Sequence, residues 1–148
     1  MKVARKAEAS LKARGYSVTM TRRSDVFLSL TRRAEIANRY RNAVFVSIHF
    51  NATKYPSVRG AETFYTGEKG RYLASEIQRE MIRKLGVRDR GVRYSRFAVL
   101  RKTVCPAVLV ECGFISNYKE RSRCKTSSYQ ALTAQAIVAG IERYDRAF

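Results

Sequence analysis

The sequence predicts an α/β layer fold. Two continuous apolar runs, residues 43–48 and 107–110, are short and read as strands buried on both faces of a sheet. Around them apolar residues recur at helical spacing, as in Leu73, Ile77, Met81 and Leu85. Strand-like and helix-like segments therefore alternate. No internal repeat, low-complexity tract or linker interrupts them, so residues 1–148 read as one domain.

Taken in order, Val3, Ala7 and Leu11 stand four apart and mark the buried face of a first helix. Lys12 and Arg14 suit the negative end of its dipole, and Gly15 suits the position just beyond. Tyr16, Val18 and Met20 alternate with Ser17 and Thr19, which predicts a strand. Ser29 is a fitting cap for a second helix running to about Asn42, with Leu30, Ala34 and Ala37 on one face. The apolar strand of residues 43–48 follows and carries His49-Phe50-Asn51 at its end. Residues 54–59, with Pro56, read as a loop. Ala61, Thr63 and Tyr65 alternate with Glu62 and Phe64 in another strand, and the alternation leaves open which face Glu62 takes. The helix through Leu73 and Leu85 is closed by Gly86. Residues 87–96 are basic, contain Gly91 and lack a period, and so read as a surface loop, followed by a short strand over 97–100. The second apolar strand opens after Pro106 and runs into Glu111-Cys112-Gly113-Phe114. Leu132, Ala136, Ile137, Gly140, Ile141 and Tyr144 form the stripe of a long last helix.

Composition sets outer bounds. Hydrophobic residues make up 45% and charged residues 28% of the chain, a globular balance rather than a disordered one. No apolar run approaches the roughly 20 residues of a membrane span, and residues 1–5 lack the apolar stretch of a secretory signal. The net charge is +18, from 30 Lys plus Arg against 12 Asp plus Glu. Such a field suits polyanions: nucleic acid, an anionic membrane surface or an acidic cell-wall polymer. No helix-turn-helix, RNP-type or zinc-finger pattern supports a specific nucleic-acid module. Three cysteines without CxxC spacing argue against a zinc knuckle or a full disulfide framework. Cys112 reads as a small buried hydrophobe, and a Cys105–Cys124 disulfide is left open.

Two residues carry candidate chemistry. Ligands of open α/β sheets bind beyond the carboxyl ends of the strands, where the two apolar strands deliver His49 and Glu111. His49 is the one histidine of the chain, able to ligate a metal or accept a proton. Glu111 follows four apolar residues, so partial burial would raise its pKa into the range of acid–base work. A satisfied structural histidine and a solvated or arginine-paired glutamate are the competing readings, and spacing alone names no reaction.

The ordered motifs resemble the zinc-dependent N-acetylmuramoyl-L-alanine amidases of bacterial cell-wall and spore autolysins. Leu11-Lys12-Ala13-Arg14-Gly15-Tyr16-Ser17-Val18 with Thr21-Arg22 looks like the family's first helix and second strand. Leu30, Arg33, Ala37 and Asn38 fit its next helix. Val46-Ser47-Ile48-His49-Phe50-Asn51-Ala52 is similar to its strand with a metal-binding histidine. Gly60-Ala61-Glu62-Thr63-Phe64-Tyr65 fits the following strand, and Pro106 through Asn117 looks like the catalytic-glutamate segment. The resemblance implies a mixed, largely parallel sheet with helices on both faces. It implies zinc held in part by His49, and Glu111 acting at the attacking water and the departing amine. It further implies peptidoglycan as substrate, with anionic wall polymers as possible partners, and action outside the cytoplasmic membrane. Asn51, Gly113, Ser116 and Asn117 are expected to shape strand ends and turns, and Glu62 to be structural.

One departure accompanies the resemblance. The family's first strand, its glycine-rich turn with another zinc histidine, and a zinc glutamate all map before Met1, and Glu8 lies too far along its helix to substitute. The expectation is therefore a catalytic domain lacking its N-terminal strand and metal-binding turn, with impaired activity. The alternatives are a non-catalytic peptidoglycan-binding relative and, behind it, a basic nucleic-acid-binding protein.

Overall fold

The computed structural model describes all 148 residues. Six helices and four strands run in the order α1 (Lys2–Lys12), α2 (Leu30–Ala37), β1 (Phe45–Asn51), β2 (Ala61–Thr66), α3 (Glu68–Leu85), β3 (Asp89–Tyr94), α4 (Ala98–Arg101), β4 (Ala107–Phe114), α5 (Tyr118–Cys124) and α6 (Ser127–Asp145). The strand order across the sheet is β1-β4-β2-β3. β1 runs parallel to β4 and β2 parallel to β3, while β2 and β4 are antiparallel. This is the mixed, largely parallel sheet expected.

Helices cover both faces, unequally. On one face Val3, Ala7 and Leu11 of α1, Leu73, Ile77 and Met81 of α3, and Ile137 and Ile141 of α6 bury Val108, Val110 and Cys112 of β4. On the other, Ala37 at the end of α2 and Val99 and Leu100 of α4 cover Phe45, Ala107 and Leu109. Only short helices lie on this second face, and they cover the strand beginnings, so the strand ends remain accessible there. α3 and α6 approach closely because Gly140 has no side chain: a Cβ there would lie 2.5 Å from the Ile77 Cα. No helix is long and apolar enough to cross a membrane.

Four sequence expectations change. Residues 16–20 form no strand. Tyr16, Val18 and Met20 are half-buried as the alternation requires, but the one backbone bond of the segment runs from the Tyr16 N–H to the Leu11 carbonyl. A strand needs a partner ladder, and none lies beside it. Residues 87–96 are not a loop: 89–94 form β3, whose pattern is masked by charge and by Gly91. Residues 97–100 are helical rather than extended, with Val99 and Leu100 buried side by side. α2 starts after Ser29, whose Oγ accepts the Arg32 N–H at 3.1 Å, but stops at Ala37. There the Asn38 amide donates to the Lys102 carbonyl at 2.9 Å and accepts from the Val104 N–H at 2.8 Å, drawing the chain out of the helix.

All three cysteines are free thiols. Cys105 belongs to the smaller core cluster and Cys124 to the larger one, on opposite faces of the sheet, so the disulfide left open between them does not form.

Candidate functional site

β1 and β4 run side by side in parallel, and their register puts His49 directly across from Glu111. β2 crosses on the other side of β4 in antiparallel register, which puts Glu62 across from the same Glu111. Directly paired residues share a face, so the three side chains form one row. Leu109, two residues before Glu111, packs under α4, which identifies that face as the sparsely covered one. The sequence placed His49 and Glu111 just beyond two apolar strands; in the fold β1 continues to Asn51 and β4 to Phe114, so both lie within their strands, and Glu62 joins them.

Glu111 is half-buried, and its Oε2 is the one buried side-chain polar atom without a hydrogen-bond partner. Burial, reinforced by the negative charge of Glu62, pushes its carboxyl up to about 7. That is the direction the sequence led one to expect, and it leaves a carboxyl able to hold or release a proton near neutrality. His49 is shifted the other way. Burial, then the positive charges of Arg33 and Arg22, hold its pKa below the usual histidine value. The neutral imidazole, the form that ligates metal or accepts a proton, is thereby favoured. Its Nε2 lies 2.9 Å from the Ser47 Oγ, which fixes the ring.

Glu62 is held by three groups. The Asn51 amide donates to its Oε1 at 3.2 Å, reaching across the central strand, while Arg90 and Arg93 approach Oε2 at 3.3 and 3.5 Å. Behind the row, Glu120 fixes the end of β4. Its buried carboxylate accepts the Phe114 N–H at 2.7 Å and the Gly60 N–H at 2.9 Å, tying the exit of β4 to the start of β2. Asn117 caps α5 through the Glu120 N–H, and the Ser116 hydroxyl accepts from Thr53, the turn-shaping roles expected of them. Nothing in the spacing singled out Glu120, Arg90 or Arg93. Their roles depend on which strands become neighbours.

No group of three or more His, Cys, Asp or Glu side chains is arranged to hold a cation. A catalytic zinc takes three protein ligands. His49 fits as one such ligand, but Glu62 is committed to arginines, Glu8 lies in ion pairs with Arg23 and Lys12, and no second histidine exists. The donors of these 148 residues do not make a zinc centre by themselves.

The arrangement sets an imidazole kept neutral by its surroundings beside a carboxyl pushed up to about 7, two groups able to exchange protons near neutral pH. The N-acetylmuramoyl-L-alanine amidase family matches residues 1–143, and the chain belongs to that family. It is 40% identical over 138 residues to the protein YqiI of Bacillus subtilis, covering 90% of this chain and 66% of that one. It is 36% identical over 148 residues to the N-acetylmuramoyl-L-alanine amidase LytC of Bacillus subtilis, covering 97% of this chain and 30% of LytC. The N-acetylmuramoyl-L-alanine amidase of Clostridium difficile 630 superposes with a TM-score of 0.95 at 34% identity, over 99% of this chain and 81% of that one. The chain thus spans less than two thirds of the length of these curated relatives, and under a third of LytC.

Proposed function

We propose that this chain is the catalytic domain of a peptidoglycan hydrolase that cleaves the amide between the lactyl group of N-acetylmuramic acid and L-alanine of the stem peptide. The observation that carries it is the pairing of His49 with Glu111 across β1 and β4, in a chain of the amidase family. Glu111 is the proton carrier. Its unpartnered Oε2 can take a proton from the attacking water and return it to the leaving nitrogen, and its burial keeps both protonation states accessible near neutral pH. Glu62, fixed by Asn51 and two arginines, supplies the negative charge that holds this balance.

His49 is proposed as one ligand of a zinc centre that needs further donors beyond those of the 148 residues. When bound, zinc would polarise the scissile carbonyl and lower the pKa of water toward about 7. Action on peptidoglycan places the domain outside the cytoplasmic membrane. An acidic wall polymer suits the +18 charge and a cavity of about 610 Å³ lined by Arg59, Arg88, Lys119 and Arg123.

The test is release of stem peptide from purified peptidoglycan by the wild-type chain and by Glu111→Gln. Loss of about two to four orders of magnitude in the variant is expected for removal of an acid–base group. Equal release by both would remove Glu111 from the mechanism. The incomplete donor set favours one second reading, a non-catalytic peptidoglycan-binding relative. Tight binding to peptidoglycan with no release by either protein, zinc supplied, would establish that reading instead.

A further inference from the structure

β3 contains a bulge, and the bulge gathers two arginines that a regular strand would separate. Residues three apart on a strand point to opposite faces. Here Ala61 pairs with Asp89 and Thr63 with Val92, so Arg90 and Gly91 together stand across from Glu62. Gly91, at φ +83°, supplies the backbone bend. The extra residue resets the alternation. Val92 turns inward against the large core, and Arg93, paired with Phe64, comes to the same face as Arg90.

Both guanidinium groups then converge on one oxygen, Oε2 of Glu62, through Nε at 3.3 and 3.5 Å. One carboxylate balances one guanidinium, so the pair keeps a net positive charge. Their terminal nitrogens make no hydrogen bond to the protein. The Arg90 guanidinium lies over the Phe114 ring at 5.1 Å, which fixes its position, while the Arg93 side chain is 52% exposed. The other nearby acid does not compete: Asp89 Oδ1 accepts from Gln78 and from the Gly91 N–H. β3 is an outer strand, so a ligand can reach this pair from solvent. Arg93 Nε also donates to the Arg90 carbonyl at 3.4 Å, so the two guanidiniums stay neighbours while their terminal nitrogens remain free, and such forked donors match the geometry of a carboxylate.

We propose that Arg90 and Arg93, brought together by the β3 bulge, form a carboxylate-binding subsite that holds an acidic residue of the stem peptide beside Glu111. The substrate class rests on the amidase reading; the subsite itself rests on the bulge and the two arginines. It would make the domain prefer stem peptides whose acidic residue is free over those in which it is amidated.

The experiment is calorimetric titration of the 148-residue chain with two soluble probes, N-acetylmuramoyl-L-alanyl-glutamate and the same compound with both glutamate carboxyls amidated. The acid should bind at least about tenfold more tightly, the effect of one charge-assisted pair. Arg93→Gln should bring the two affinities together, and Arg93→Lys should recover part of the preference. Thermal unfolding of each variant checks that this exposed position leaves the fold intact. Equal affinities in the wild type, a preference that survives Arg93→Gln, or no binding of either probe at millimolar concentration overturns the subsite. The two readings fail separately. Peptidoglycan release that depends on Glu111 without any acid preference keeps the amidase and discards the subsite. An Arg93-dependent preference without release does the reverse.

Discussion

The same residue type behaves differently according to what folding puts beside it. Glu111 is pushed toward neutrality because β1 and β2 leave it half-buried with another glutamate as neighbour. Glu8 is held down to about 2 because Arg23 forks onto its carboxylate at 2.5 and 3.1 Å and Lys12 adds a contact at 2.9 Å. A depressed carboxyl stabilises the fold above its unfolded pKa, and that contribution fades as pH falls through the folded value. Glu8→Gln should therefore lower the unfolding temperature at pH 7. The gap to wild type should narrow below about pH 4.5 and close near pH 2, the Glu8 value. A gap independent of pH would assign the effect to packing. His49 and Glu111 stood out as candidates because each directly follows an apolar run, 43–48 and 107–110. The part played by Glu62 was not legible, since alternation allowed either face and only the β2–β4 register chose one.

An unbroken apolar period locates an element in this chain, though not always how deeply it is buried. α1, α3 and β4 bury the residues their stripes predict, among them Leu73, Ile77 and Met81, and α6 does so except at Leu132, which is exposed. β1, expected to be buried on both faces, is instead an outer strand whose Val46 and Ile48 are only half-buried, because just one neighbour, β4, flanks it. Elements were misread where the deciding contact lies far off in sequence. β3 carries charge along an outer strand and a glycine at its bulge, so its alternation is broken by the feature that gives it a role. α2 ends at Ala37, short of the Asn42 that its sequence suggests, because Asn38 bonds to residues 102 and 104. α3 and α6 depend on a close approach that only glycine permits. Gly140→Ala places a methyl group 2.5 Å from the Ile77 Cα, so the helices must separate. A cost of about 1–3 kcal/mol is expected, read as a lower midpoint in urea unfolding. An unchanged midpoint would show that the two helices can part freely.

For the molecule as a whole, charge is the dominant feature. At +18 the folded chain repels itself, and added salt screens that repulsion. Raising sodium chloride from about 0.05 to about 0.5 M should raise the unfolding temperature by a few degrees. A fall would mean that specific pairs such as Arg143–Glu80 and Arg23–Glu8 outweigh the overall field. By itself the sequence determined the fold class, the apolar stripes of α1, α3 and β4, the sign of the field and the two candidate site residues His49 and Glu111, because those follow from composition and local period. The tertiary structure decided what surrounds them: Glu62 opposite Glu111, two arginines turned to one face, and Glu120 binding the strand ends together. Those depend on register and bulges, which exist only once strands distant in the chain have paired.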